Sequence, residues 1–192
     1  MCDVTGRGRS AGPGAPSGGL PWRVPETRSR LRVVATVAAL LALGGCAQAV
    51  PVTVAPHATD PVCADVVLTT PDTLGDDLDR VDTTSQATTA WGDPRAAVVL
   101  RCGVEPLPPT TDRCVTVEAP DGTSVDWVVV ADDPQDEQGS DWTFTTYGRV
   151  PAVEVRVPAE VATSHSSTSF VDALGPAVAH APAERSCVGL TG

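Results

Sequence analysis

The chain contains no lysine, no asparagine and no isoleucine, and its single methionine is residue 1. Those residues share AT-rich codons, whereas Ala, Val, Pro, Gly, Arg and Asp are abundant, so the absences record a GC-rich genome. They exclude a chemical reading of the missing lysine: apart from histidine every side-chain cation is arginine, and valine fills strand positions that isoleucine would share. Aromatics are scarce at 4%. Beyond residue 45 there is no G-x-S-x-G elbow, and nowhere is there an HExxH, Walker loop or GxGxxG, so no cofactor is implied. No pair of cysteines has CxxC spacing, which argues against zinc. A net charge of −11 disfavours nucleic acid and anionic headgroups as partners. No apolar run reaches the roughly 20 residues a membrane helix needs.

One short apolar run is present. Val33 to Leu43 is 11 residues without a charge, the length of a secretory h-region. Arg28, Arg30 and Arg32 supply the positive flank. Leu43-Gly44-Gly45-Cys46 then resembles a bacterial lipobox, in which the leader is cut before the cysteine and the thiol receives a diacylglycerol. Two acyl chains suffice for a stable anchor where one is marginal. The alternatives are an ordinary signal peptide with a chance cysteine, or an N-terminal membrane anchor. Residues 1–30 are rich in Gly, Pro, Ser and Arg and have no apolar pattern; they read as a long n-region, or as sequence preceding a true start at Val24. Residues 1–45 are thus expected to be removed, Cys2 with them. Residues 46–61, with Pro51, Pro56 and Pro61, read as the lipidated cysteine and a flexible tether. His57 reads as a solvated histidine within it.

The leader carries six of the 13 arginines and two of the 24 acids, so the chain from Cys46 would hold −15. Its 147 residues suit one domain, over 62–192, with an ordinary core. With Cys46 acylated, Cys63, Cys102, Cys114 and Cys187 remain, an even number that reads as two disulfides in an exported domain. The Pro-rich segment between Cys102 and Cys114 looks like a loop returning to an adjacent strand. It favours Cys102–Cys114, leaving Cys63–Cys187 to tie the two ends together.

Asp60-Pro61 starts a short helix over about 61–70, stopped by Pro71. The acids between Asp72 and Asp82 lack the spacing and closing Glu of a calcium loop and read as a solvated loop. Trp91 to Pro94 is a turn. Ala96–Val104 is a buried strand in which Arg101 would need a carboxylate partner. Cys114–Glu118 and Ser124–Ala131 form a hairpin about Asp121-Gly122. Val125, Trp127 and Val129 share a face. Asp141–Tyr147 and Ala152–Val157 follow, with Val153, Val155 and Val157 inward. A final helix over about Phe170–His180 takes Ser169 as N-cap and is kinked or split at Gly175-Pro176. This is an α+β pattern: a mainly antiparallel sheet of about five strands, with an N-terminal and a C-terminal helix on one face, crosslinked by disulfides.

Taken together, WGDP with VVLRCGV (Trp91 to Val104), VDW (Val125 to Trp127) and TTYGRVPAVEV (Thr145 to Val155) resemble an actinobacterial family of secreted lipoproteins, the domain of unknown function numbered thirty-five fifteen. The resemblance covers roughly Cys63 to Cys187. It implies an exported location and supplies no activity, substrate or cofactor.

Two sets of residues invite a functional reading. His165 lies among serines and His180 near a helix end, so a Ser/His site can be drawn, with surface histidines the plainer account. The second set is Trp91, Arg101, Asp126, Trp127, Tyr147 and Arg149, of the types that dominate binding surfaces. Its plainer account puts Trp127 in the core, Trp91 at a sheet edge and the arginines in ion pairs. The expectation is a non-enzymatic, lipid-anchored envelope protein that binds an envelope protein or a glycan, with an envelope hydrolase or transferase as the alternative. The expected contact with the membrane is through lipid on Cys46.

Overall fold

Valine alternation builds the sheet. In the computed structural model, which describes residues 48–75, 77–164 and 168–188, the strands are β1 (Thr73–Leu74), β2 (Leu78–Val81), β3 (Thr88–Trp91), β4 (Val98–Val104), β5 (Cys114–Glu118), β6 (Ser124–Ala131), β7 (Trp142–Thr146) and β8 (Ala152–Val157). The leader, Cys46 and His165 lie outside the described residues. The strands form one antiparallel sheet of eight, in the order β1-β2-β3-β4-β8-β7-β6-β5. Two four-stranded meanders are thus joined at their last strands, β4 beside β8. The expected α+β class and antiparallel sheet are present. The expected strand number was too low because β1, β2 and β3 are short and polar: Leu78-Asp79-Arg80-Val81 reads as part of an acidic loop.

One face of the sheet carries the main core. Val98, Leu100 and Cys102 of β4, Val125 and Trp127 of β6, Phe144 of β7 and Val153, Val155 and Val157 of β8 all belong to it. Helix α1 (Pro61–Leu68) supplies Cys63 and Val66 to this core. Its N-cap Asp60 accepts a bond from the Val62 amide at 2.9 Å, and Pro61 occupies the first turn, where no amide is needed. After β8 come α2 (Ala159–Ser164), α3 (Thr168–Ala173) and α4 (Gly175–Val178). Phe170, Val171, Leu174 and Val178 complete the same core. The expected last helix is split just before Gly175-Pro176, and it starts at Thr168, so Ser169 is inside the first turn rather than capping it.

The opposite face is covered by the two ends of the domain. Residues 48–60 are no free tether. The Val50 amide donates to Asp82 O at 2.7 Å and the His57 amide to Gly103 O at 2.8 Å, while Arg101 donates to Thr53 O at 3.2 Å. Small apolar clusters fix the strap: Val50 with Ala90 and Ala97, and Ala55 and Ala58 with Val104 and Ala152. Gly103 makes the close approach possible. Its φ is +91°, and a Cβ there would lie 2.4 Å from His57 C. Residues 56–59 form turns, with the Asp60 amide donating to His57 O at 3.0 Å, and the partners of the segment are far away in sequence.

The disulfides are Cys63–Cys102 and Cys114–Cys187, which corrects the expected pairing. Cys102 faces α1 on central β4, within the core. Cys114 starts β5, an edge strand whose Val115 and Val117 face the core, so its own side chain lies on the other face. Four strand spacings separate β4 from β5, about 19 Å, far beyond disulfide reach. The segment between Cys102 and Cys114 crosses the sheet instead of returning beside β4.

Candidate functional site

The six residues expected to share a patch separate into three groups. Trp91 and Trp127 are fully buried in the core. Trp91 Nε1 donates to Pro71 O at 2.9 Å. Trp127 meets Phe144 edge to face, with ring centroids 6.5 Å apart. Arg101 stands on the strap face and pairs with its register partner Glu154 at 2.8 Å, the carboxylate its position required. Only Asp126, Tyr147 and Arg149 come together, and they do so under the C-terminal tail.

That tail, residues 181–188, is laid across the β5–β7 side of the sheet. A glycine with φ +74°, Gly148, sets its path: a Cβ there would come within 2.1 Å of Arg185 O. The Gly148 carbonyl accepts from the Glu184 amide at 2.7 Å, and the Val150 amide donates to Pro182 O at 3.1 Å. Arg149, 8% exposed, donates to Ala181 O and, at 3.2 Å, to Ser124 O. Burial pushes its guanidinium pKa below the ordinary arginine value, and the charge of Asp126 works in the other direction. Asp126 accepts from Thr116 Oγ1 at 2.6 Å and from the Cys187 amide at 2.7 Å. The Cys114–Cys187 bond then closes the strap. Arg149 and Asp126 therefore hold the chain's own tail, where the sequence suggested a surface for a partner.

Two hollows flank this disulfide and share Thr116, Tyr147 and Cys187. One, about 360 Å³, reaches Asp126, Arg149 and Arg185. The other, about 590 Å³, is bounded by Thr110, Arg113 and Val188. Both volumes are in the range of small-ligand sites. Arg113, Thr116 and Arg185 were not among the sequence candidates. Their one signal is adjacency: Arg113 precedes Cys114 and Arg185 lies two before Cys187, so the disulfide gathers them.

Elsewhere, His57 Nε2 lies 2.8 Å from Glu105 Oε1, both half to largely exposed, so this histidine has a partner that the tether reading did not give it. A cavity of about 440 Å³ lies where the strap arrives, beside Val50, Pro94, Arg95 and Pro158. His180 is exposed at the end of α4. Among the described residues no group of His, Cys, Asp and Glu could hold a metal ion, and no helix is long and apolar enough to cross a membrane.

Fold and site together define a disulfide-crosslinked α+β domain whose two terminal segments strap one face of an antiparallel sheet. The sequence pattern of the family described as Protein of unknown function (DUF3515) matches residues 30–187, and the chain belongs to that family. No curated protein and no solved structure matches it.

Proposed function

We propose that this is an exported, lipid-anchored envelope protein that works by binding, with the cleft beside the C-terminal strap as its binding site. The anchor is supported by the arginine-flanked h-region and by Leu43-Gly44-Gly45-Cys46. The binding role is carried by one observation: the hollows about the Cys114–Cys187 bond are lined by a tyrosine, two exposed arginines and several hydroxyls on a rigid, crosslinked frame. Those side chains bury contact area at low entropic cost and donate hydrogen bonds with fixed geometry. The docked N-terminal segment adds a spatial consequence, because it leaves few free residues between Cys46 and the sheet.

Expression of the full chain and of Cys46→Ser tests the anchor. The mature protein is expected in the membrane fraction with the mass of an acylated N-terminal cysteine; Cys46→Ser should lose both. In-cell crosslinking from the cleft, with and without Tyr147→Ala, tests the binding role. Loss of crosslinked product in a folded Tyr147→Ala protein is expected. Turnover of the captured material by the wild-type protein would instead make it an envelope hydrolase or transferase.

A further inference from the structure

The cleft is electrically out of character with its chain. The protein carries −11 overall, yet the two hollows are lined by Arg113, Arg149 and Arg185 against only Asp112 and Asp126. Both carboxylates are already engaged. Asp112 accepts from Thr110 Oγ1 at 2.7 Å, and Asp126 holds Thr116 and the Cys187 amide. Arg149 is spent on carbonyls. The guanidinium groups of Arg113 and Arg185 make no hydrogen bond or ion pair among the described residues, as is true singly of Arg95 at the separate cavity beside Val50, whereas Arg80, Arg101 and Arg156 all donate to other groups. In so acidic a chain, leaving two cations unpaired in one cleft forgoes partners that abundant carboxylates could supply. It leaves planar donors that match a carboxylate or phosphate.

The rest of the lining suits a hydroxylated ligand. Tyr147 is half-buried where the two hollows meet, and its ring is a platform of the kind that covers the apolar face of a sugar. Thr110, Thr111 and Ser186 bring hydroxyls, which both donate and accept as sugar hydroxyls do. We infer that the cleft binds an anionic saccharide, with Tyr147 beneath the sugar ring and Arg113 and Arg185 on its carboxylate or phosphate. This rests on the binding role proposed for the same cleft and names its ligand class.

Tyr147 is the only tyrosine in the chain, so its ring resonances report on this site alone. The test is a titration of the purified mature protein, followed by the NMR signals of selectively labelled tyrosine. The probes are a glucuronic-acid disaccharide, glucose 6-phosphate, cellobiose, inorganic phosphate and a short acidic peptide. A charged sugar should shift Tyr147 saturably, and whichever of the first two binds more tightly identifies carboxylate or phosphate. Cellobiose and inorganic phosphate should each bind at least tenfold more weakly. Arg185→Ala and Arg113→Ala should each weaken the charged sugar about tenfold, and Arg185→Lys should restore part of the loss. Equal shifts from the acidic peptide, equal affinity for cellobiose, or no saturable shift from either charged sugar would overturn the inference. These outcomes leave the acyl mass, the membrane fractionation and the in-cell crosslinks untouched, so failure of the ligand class is distinguishable from failure of the wider proposal.

Discussion

Arg149 and the two core tryptophans show how far side-chain type falls short of side-chain role. An arginine after a glycine, near aromatics, reads as a presented cation. Here the glycine opens a path for the tail, and the guanidinium spans two carbonyls, those of Ala181 and Ser124. Arg149→Ala would leave both acceptors without their charged donor, at a cost of about 2–4 kcal/mol; urea denaturation should show it as a lower midpoint. Arg149→Lys should recover little, since one ammonium cannot reproduce a planar fork across two acceptors. The tryptophans make a paired comparison. Trp91 Nε1 has a carbonyl partner, whereas Trp127 Nε1 is the one buried side-chain polar atom without a partner among the described residues. Replacing either by Phe removes a similar volume from a fully buried site. Trp91→Phe also leaves Pro71 O unpaired, whereas Trp127→Phe removes an orphan donor. Trp91→Phe should therefore be the more destabilising by about 1 kcal/mol, and equal midpoints in urea would count against this account.

At the scale of elements, legibility followed the range of the deciding interaction. Strands β5, β6 and β8 can be read directly, because alternating valines and the Asp121-Gly122 turn are local signals and their burial follows from them. Strand β2 cannot. Its middle residues Asp79 and Arg80 are exposed, and it exists because β3 pairs beside it. The straps fail in the same way: Pro51 and Pro56 announce an extended chain, but its docking depends on Gly103 and Asp82, some tens of residues on. The disulfide pairing needed the strand order, which no local pattern carries. Of the site, Asp126, Tyr147 and Arg149 were legible as residues but not in their orientation toward the tail. The two crosslinks now separate by environment. Cys63–Cys102 is fully buried, whereas Cys114 and Cys187 are each partly exposed. Thiolate attack depends on access, so mild reduction should open Cys114–Cys187 first. Mass mapping of alkylated cysteines should find label at Cys114 and Cys187 while Cys63 and Cys102 remain protected, and protease should then cut the tail between Ala181 and Val188. Simultaneous labelling of all four would show that the core bond has no such protection.

The whole molecule is arranged about where its chain begins and ends. Three residues separate Cys46 from Val50, whose backbone is already bonded to Asp82 and Thr84 just after β2; fully extended, the four steps between them reach about 14 Å. The strap then runs along β4, from Ala97 near its start to Gly103 near its end. The C-terminal cleft lies on the far side, two to four strands across at about 4.8 Å each. Tyr147 follows the end of β7, on the level of the β4 terminus rather than its start. If Cys46 carries lipid, the end of the sheet bearing Pro94 to Ala97 must face the bilayer, and the cleft must face outward. The acidic charge of the domain would repel an anionic surface over a Debye length of about 8 Å, which keeps the short link stretched and the orientation narrow. Spin labels at Ala96→Cys and Glu118→Cys in the acylated protein on vesicles, with a headgroup-chelated relaxing agent, measure this directly. Relaxation should be strong at residue 96 and weak at residue 118. Gly103→Ala, which forces the strap off β4, should bring the two values together; equal relaxation already present in the parent would mean that the strap does not set the distance.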